Sequence, residues 1–172
     1  MQRFMLFVVV LAVLASAASA TLGDEKAQAA EKRPQFVLHP IGHVEKSEER
    51  TRIVLDKKHQ RGLLGLEGYS HIYMIWWFDR NDTPQKRSVL QVHPRGDREN
   101  PLTGVFATRS PMRPNLIALT LCKIVAIENN TIEIEATDAF DGTPVLDIKP
   151  FIPGYDTAEQ ATVPAWLSKG RK

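Results

Sequence analysis

A proline-rich segment, GVFATRSPMRPN at residues 104–115, carries the side chains of this chain best suited to gripping an anion. Pro111 and Pro114 each fix one backbone φ angle and favour an extended residue before them. Arg109 and Arg113 therefore project from a pre-ordered backbone, so less entropy is lost when a guanidinium pairs with carboxylate or phosphate. This arginine loop predicts a site for an anionic, nucleotide-like ligand. The alternative is a structural loop tied down by arginine–acid pairs.

A second segment, DAFDGTPVLDIKP at residues 138–150, supplies carboxylates. Asp138, Asp141 and Asp147 surround the sequence Asp-Gly-Thr-Pro, which strongly favours a turn. The spacing and the final glutamate of a calcium loop are missing, and the histidines lack the spacing of a zinc site, so we predict no metal. The carboxylates suit ribose hydroxyls, an amino group, or pairing with the arginine loop.

Charge is unevenly distributed along the chain. Residues 80–113 hold seven basic and three acidic residues, a net of +4, whereas residues 128–159 hold eight acids and one lysine, a net of −7. A basic surface beside an acidic one suits a site that grips an anion and orients a cation. The alternative is two solvated faces that attract each other. The whole chain carries a formal charge of only +2, which excludes a general polyanion binder.

Motifs of other enzyme classes are absent from the sequence. No GxSxG, Walker or GxGxxG pattern occurs. Ser70 and His71 are adjacent, and consecutive residues of a strand point to opposite faces, so we do not predict a hydrolase pair. Cys122 is the one cysteine of the chain and lies in an apolar run, which excludes an intrachain disulfide and predicts a buried, unreactive thiol.

Short β-type runs cut by Gly, Pro, Asn and Asp predict an all-β domain, a small, mostly antiparallel barrel or sandwich. The run at 71–78 is the most apolar and predicts a buried strand. Ile132, Ile134 and Ala136 alternate with polar residues and predict one wet face. The predicted strands cover residues 36–44 with an interruption at 40–42, 52–55, 71–78, 88–93, 117–127, 131–137 and 145–148.

The N-terminal residues predict a signal peptide for export. Arg3 precedes an apolar run of about 11 residues, where about 20 are needed to span a bilayer, and Ala18-Ser19-Ala20 forms a cleavage pattern. We therefore expect a cleavable signal peptide at 1–20 and an exported (periplasmic or secreted) protein, with an uncleaved anchor as the alternative. A linker at 21–35, a barrel domain at 36–153 and a C-terminal tail at 154–172 follow. No later run approaches spanning length, so we predict no membrane span in the mature chain.

Four motifs resemble those of the TsaA/TrmO-like family: GLEGYSHIYMIWWF, VHPRGD, GVFATRSPMRPN and DGTPVLDIKP, in this order. The resemblance runs from about Pro40 to Pro153. It implies a single-domain β-barrel that uses S-adenosylmethionine to methylate N6 of threonylcarbamoyladenosine in tRNA. It also implies a homodimer with the cofactor near the subunit interface.

The resemblance also implies a set of cofactor contacts. Asp79 and Arg80 stand where the family tends to place a histidine at the cofactor, and no catalytic base is assigned. If Arg109 holds the cofactor, we expect Arg113 to brace the loop against an acid such as Asp138 or Asp141. The implied cofactor contacts are Arg109, Leu119, Asp79, Arg80, Asp141, Gly142, Thr143 and Pro144.

Two functions of different classes follow from the sequence. The first is an S-adenosylmethionine-binding methyltransferase whose acceptor is open, because export would separate the protein from tRNA. The second is an exported, non-catalytic β-barrel that binds a small anionic or nucleoside-like ligand.

Overall fold

The computed structural model describes residues 35–168, so the predicted signal peptide and residues 21–34 of the predicted linker lie outside it. All the strands and helices below belong to the unit that begins at Leu38. No helix within residues 35–168 is long and apolar enough to cross a membrane. The strands in this range are β1 (Gly42–Lys46), β2 (Thr51–Leu55), β3 (His71–Trp77), β4 (Gln91–Val92), β5 (Thr103–Gly104), β6 (Ile117–Glu128), β7 (Thr131–Ile134) and β8 (Pro144–Pro150).

The helical elements are short. Three four-residue helices are α1 (Pro84–Arg87), α2 (Pro153–Asp156) and α3 (Ala165–Ser168) within the described range. Segments of 3-10 helix lie between the strands: a seven-residue segment at Lys57–Leu63 and three-residue turns at Leu66–Gly68, Asp79–Asn81, Pro94–Gly96 and Val105–Ala107.

Six strands close into an antiparallel barrel in the order β1-β2-β7-β6-β3-β8, and β4 pairs with β5 in a separate ribbon. The predicted all-β, mostly antiparallel barrel is confirmed. Strand β3 pairs with β6 from His71 opposite Lys123 to Trp77 opposite Ile117. It also pairs with β8, and a bulge between Ile75 and Trp76 shifts that register near the end of β3. Such bulges increase the local twist and turn the strand end.

Alternate residues of the barrel strands point inward and form the core. In β3, Ile72, Met74 and Trp76 are buried, whereas the residues between them are only half-buried. The prediction that 71–78 is a buried strand therefore holds for one face only. The core cluster comprises Val44, Ile53, Leu55, Leu63, Ile72, Met74, Trp76, Ala118, Cys122, Ile132, Ile134, Ala139 and Val145.

Three predicted strand segments are wrong in extent. Residues 36–38 are not in a strand, Phe36 is 85% exposed, and β1 begins only at Gly42, after Pro40. The segment at 88–93 keeps two strand residues, because the preceding chain forms α1, with Pro84 at its start. Strand β7 ends at Ile134, so Ala136 is exposed instead of facing the core.

Gly42 is required where β1 pairs with β2, opposite Leu55. A Cβ on Gly42 would lie 2.7 Å from the Cα of Leu55 and closer still to the carbonyl oxygen of Val54. Both neighbours are backbone atoms, which cannot rotate away. The barrel therefore closes at this point only because residue 42 has no side chain.

We expect Gly42→Ala to destabilise the protein by about 1–3 kcal/mol or more, because the strands must separate to admit the methyl group. Gly62→Ala is the matched control, since a Cβ there has no neighbour within 4 Å. Urea unfolding of both variants measures the difference. Equal free energies of unfolding for the two variants would show that the β1–β2 contact is not tight.

The predicted burial of Cys122 is confirmed, since its side chain is in the core cluster. Burial, aided by the negative charge of Asp138, raises the pKa of the Cys122 thiol to about 11.

Only the thiolate form of Cys122 would be a good nucleophile. We expect Ellman's reagent to leave the folded protein unlabelled at about pH 8 and to label one thiol per chain after urea unfolding. Rapid labelling of the folded protein would contradict this burial.

Candidate functional site at one end of the barrel

The candidate site lies where β3 ends and β6 and β8 begin. Because these strands are antiparallel, Trp77 at the end of β3 faces Ile117 at the start of β6, and Trp76 faces Val145 near the start of β8. The turn after β3, the arginine loop before β6 and residues 138–143 before β8 are therefore joined to the same end of the barrel. We call residues 138–143 the aspartate loop.

The turn after β3 contacts the aspartate loop directly. Asp79 and Arg80 are exposed residues of the 3-10 turn Asp79–Asn81. The Cζ atom of Arg80 lies 3.8 Å from the ring centroid of Phe140, a cation–π contact. Arg80 thus places a positive charge beside the aspartate loop.

Lys46 holds the aspartate loop against the end of β1. Its Nζ donates to the carbonyl oxygens of Thr137 and Ala139, each at 2.8 Å. Its backbone N–H donates to Oδ1 of Asp141, also at 2.8 Å. These contacts join parts of the chain more than 90 residues apart. The loop is fixed on both sides of Asp138.

The end of the aspartate loop contains a buried polar atom without a partner. Gly142 has a φ of +77°, which favours glycine, and its N–H donates to the carbonyl oxygen of Val44 at 2.8 Å. The next residue, Thr143, is 1% exposed, and its Oγ1 has no hydrogen-bond partner within residues 35–168. Buried hydroxyls are normally satisfied, so Thr143 stands out as a polar side chain whose hydrogen-bonding capacity is unused within the described residues. Pro144 follows as the first residue of β8.

A chain of hydrogen bonds runs from the core to Asp138. The indole Nε1 of buried Trp76 donates to Oγ1 of Thr120 at 3.0 Å. The Thr120 hydroxyl in turn donates to Oδ1 of Asp138 at 2.8 Å. Asp138 is exposed, so the relay fixes a carboxylate at the surface beside the candidate site. Its negative charge is the one that helps to raise the Cys122 pKa.

Buried residues anchor the arginine loop at both ends. Val105 is 1% exposed, and its N–H donates to the carbonyl of Leu90. Leu116 is fully buried, and its carbonyl accepts from the N–H of Phe78. Between them, Arg109 is exposed, and no hydrogen bond or ion pair holds its side chain within residues 35–168. Arg109 is thus free for a ligand.

The predicted pairing of Arg113 with Asp138 or Asp141 is wrong. The Nη1 atom of Arg113 donates to the carbonyl oxygens of Thr108 and Ser110, at 3.3 and 3.5 Å. The two carboxylates are bound instead by the Thr120 hydroxyl and the Lys46 N–H. Arg113 therefore braces the loop, as expected, but through the loop's own backbone.

The alternative of two charged faces that attract each other also finds no support in the ion pairs. Within residues 35–168, no ion pair joins the basic segment at 80–113 to the acidic segment at 128–159. The ion pairs among residues 35–168 lie within one segment or involve other parts of the chain. The described contact between the two is the stacking of Arg80 on Phe140.

Sequence reasoning missed a cluster around Arg87. Its Nε donates to Oδ1 of Asp82 at 2.7 Å, and its Nη1 donates to the carbonyl of Pro114 in the arginine loop at 3.0 Å. The Arg87 Cζ also lies 5.2 Å from the ring centroid of Trp77, whose Nε1 donates to Oδ2 of Asp82. The sequence signal for this cluster is Thr83-Pro84: Thr83 caps α1 by accepting from the N–H of Lys86.

The hydrogen bond from Arg87 lowers the pKa of Asp82 below its ordinary value, and the same bond raises the pKa of Arg87. Because the aspartate pKa is lowered by folding, the pair stabilises the fold above the ordinary pKa of an aspartate. This contribution is lost as the pH falls through the lowered value.

Leu119 points outward from β6. It is 42% exposed, between Ile117 at 41% and Leu121 at 46%, so these three alternate residues form an apolar row on the outer face. Leu119 pairs with Ile75 of β3. The implied cofactor contact at Leu119 therefore lies on the outer surface of the barrel, whereas Thr143 is buried.

Strand alternation does not separate Ser70 from His71, contrary to the prediction, because only His71 lies in β3. Ser70 precedes β3, and its Oγ lies 2.8 Å from Nδ1 of His71. This pair lies at the end of β3 opposite Trp77. No carboxylate accepts from His71 within residues 35–168, so the third member of a hydrolase triad is missing in the described range. No group of three metal-ligating side chains converges in that range either.

Comparison with known proteins identifies the fold family. The family model described as the tRNA-methyltransferase O N-terminal domain matches residues 36–157, more than half of the chain. This protein belongs to that family. The resemblance to TsaA/TrmO-like proteins is confirmed, and the matched range contains all three segments of the candidate site.

Relatives and solved structures agree with this assignment. A probable S-adenosyl-L-methionine-binding protein of Methanocaldococcus jannaschii is 47% identical over 116 residues, 67% of this chain and 92% of the relative. A human tRNA (adenine(37)-N6)-methyltransferase is 41% identical over 115 residues, 67% of this chain and 25% of the relative. A TrmO crystal structure from Pseudomonas aeruginosa has a TM-score of 0.59 at 26% identity, covering 75% of this chain. The chain spans 62% of that structure's length.

The two arginines of the loop should respond differently to truncation. Arg113→Ala removes the donor to two loop carbonyls, so we expect a loss of about 1–2 kcal/mol in the free energy of unfolding. Arg109→Ala removes an exposed side chain and should change stability by no more than about 0.5 kcal/mol. Thermal melts of both variants decide the matter. An earlier melt for Arg109→Ala than for Arg113→Ala would make Arg109 the structural residue.

Proposed function

We propose that this protein binds S-adenosylmethionine and transfers its methyl group to an acceptor. The observation that carries the proposal is family membership across residues 36–157 together with the convergence of three segments, the turn after β3, the arginine loop and the aspartate loop, on one end of the barrel. Relatives named as S-adenosyl-L-methionine-binding proteins and as tRNA methyltransferases support it. The methyltransferase relatives favour a transferase over a non-catalytic ligand-binding barrel.

The side chains at this end of the barrel suit the chemical groups of the cofactor. The exposed guanidinium of Arg109 matches a carboxylate, and the orphaned hydroxyl of Thr143 matches a polar group of the nucleoside. Carboxylates and aromatic rings such as Asp138 and Trp77 stabilise a cation. When bound, the cofactor supplies an electrophilic methyl on a sulfonium. The protein's part is to orient the two reactants and exclude water.

We propose tRNA as the acceptor. The human and mouse relatives named as tRNA (adenine(37)-N6)-methyltransferases support this choice. The net charge of +4 over residues 80–113 would attract a phosphate backbone. Transfer of tritiated methyl groups to unmodified total tRNA tests it, with tRNA already modified at the target base as the control. Incorporation into neither RNA would direct the search to small metabolites and proteins.

We propose export for the same chain, because residues 1–20 have the pattern of a cleavable signal peptide. Cell fractionation followed by N-terminal sequencing tests it. We expect a mature chain that begins at Thr21 in the exported fraction. A full-length chain confined to the cytoplasm would overturn the export proposal and would remove the separation from tRNA that export implies.

We propose that the protein acts as a homodimer through the outer face of β6. The apolar row of Ile117, Leu119 and Leu121 is more than 40% exposed at every position, and a second copy would bury it. Sedimentation velocity tests the proposal. We expect Leu119→Glu to shift a dimer to a monomer, and His43→Glu, an exposed position on the outer face of β1, to leave the dimer intact.

Isothermal titration calorimetry with S-adenosylmethionine and S-adenosylhomocysteine tests the central proposal. We expect Arg109→Ala to weaken binding by about 1.5–3 kcal/mol, the scale of a charge-assisted hydrogen bond, without an earlier melt. Arg98→Ala, an exposed arginine of the same basic segment, is the control and should bind normally. No heat from the wild-type protein at millimolar ligand would sink the methyltransferase proposal and favour the non-catalytic barrel.

A further inference from the structure

No hydrogen bond or ion pair restrains the Arg109 side chain within residues 35–168. Hydrogen bonds nevertheless restrain the backbone on both sides of Arg109. Arg113 donates to the carbonyl oxygens of Thr108 and Ser110, the two residues that flank Arg109. The Thr108 hydroxyl also accepts from the N–H of Ser110, at 3.2 Å. The direction in which the Arg109 side chain leaves the loop is therefore set by Arg113.

Arg87 fixes the other side of Arg113. The carbonyl to which Arg87 donates belongs to Pro114, the residue directly after Arg113. Arg87 is fixed in turn by Asp82, which also accepts from the indole of Trp77 in β3. A continuous path of contacts thus runs from the rigid strand β3 through Arg87 and Pro114 to Arg113.

We propose that Arg87 and Arg113 are positioning residues for Arg109. Arg87 ties the arginine loop to the end of β3, and Arg113 transmits that position to the backbone of residue 109. The inference rests on the proposed function, because it assigns Arg109 as the ligand-binding residue of the loop. Neither supporting arginine contacts the ligand itself in this arrangement.

The contacts of Arg87 require a guanidinium. It uses Nε for the Asp82 carboxylate and Nη1 for the Pro114 carbonyl, and its Cζ lies 5.2 Å from the centroid of the Trp77 ring. A lysine ammonium can keep the ion pair with Asp82, but it is a point charge without the planar fork that reaches the second acceptor. We therefore expect Arg87→Lys to keep the stability that the ion pair contributes and to lose the hydrogen bond that positions the arginine loop.

The test uses the full chain and S-adenosylmethionine as the probe. We expect Arg87→Ala to raise the dissociation constant on the order of tenfold and to speed amide exchange in residues 105–116. Arg87→Lys should recover most of the melting temperature but not the affinity. Arg52→Ala is the matched control, since Arg52 is 34% exposed and paired with acids, as Arg87 is 36% exposed and paired with Asp82.

A double-mutant cycle shows whether Arg87 acts through Arg109. In the Arg109→Ala background, Arg87→Ala should cost no further affinity, although it still accelerates exchange in the loop. Additive losses of affinity would overturn the proposal, because Arg87 would then act on the ligand independently. Exchange and affinity no different from those of Arg52→Ala would overturn it as well.

Failure of the proposed function gives a different result. In that case the wild-type protein binds no S-adenosylmethionine, and amide exchange alone decides the structural step. Faster exchange of residues 105–116 in Arg87→Ala than in Arg52→Ala would then support the positioning of the loop. Unchanged exchange would overturn it.

Discussion

Strand β3 is hydrogen-bonded to β6 on one side and β8 on the other, and the site depends on this double ladder. The register decides which of two adjacent tryptophans faces the core. Trp76 points inward and donates to Thr120, whereas Trp77 donates to Asp82 outside the barrel. A slip of one residue would exchange the two rings and remove both contacts.

Each of the two tryptophans is therefore the first member of a separate chain of contacts that leads to the site. The inner one passes from Trp76 through Thr120 and fixes the carboxylate of Asp138. The outer one passes from Trp77 to Asp82, which Arg87 shares, and reaches the arginine loop. One strand end thus places a negative group and a positive group at the same end of the barrel while keeping them from neutralising each other. A ligand that carries both signs of charge is suited to such an arrangement.

The sequence predicted what local patterns encode. Apolar runs bounded by polar and turn residues gave the strands at 52–55, 71–78 and 117–127. The two prolines gave an ordered loop, and the family resemblance identified Arg113 as its structural arginine. The partners of Asp138 and Asp141 could not be predicted, because Thr120 and the Lys46 N–H lie 18 and 95 residues away along the chain. Arg87 was missed for a related reason: its bond to Pro114 spans 27 residues of the chain.

The single buried cysteine has a consequence for where this fold can exist. With one thiol in the chain, no intrachain disulfide contributes to stability, and burial keeps that thiol protonated. While the barrel is closed, neither glutathione nor a disulfide-forming environment reaches this thiol. The redox potential of the surroundings therefore makes or breaks no disulfide in the domain. The core has no disulfide to gain or lose when the compartment changes. A signal peptide could therefore be added to this fold without a compensating substitution in the core.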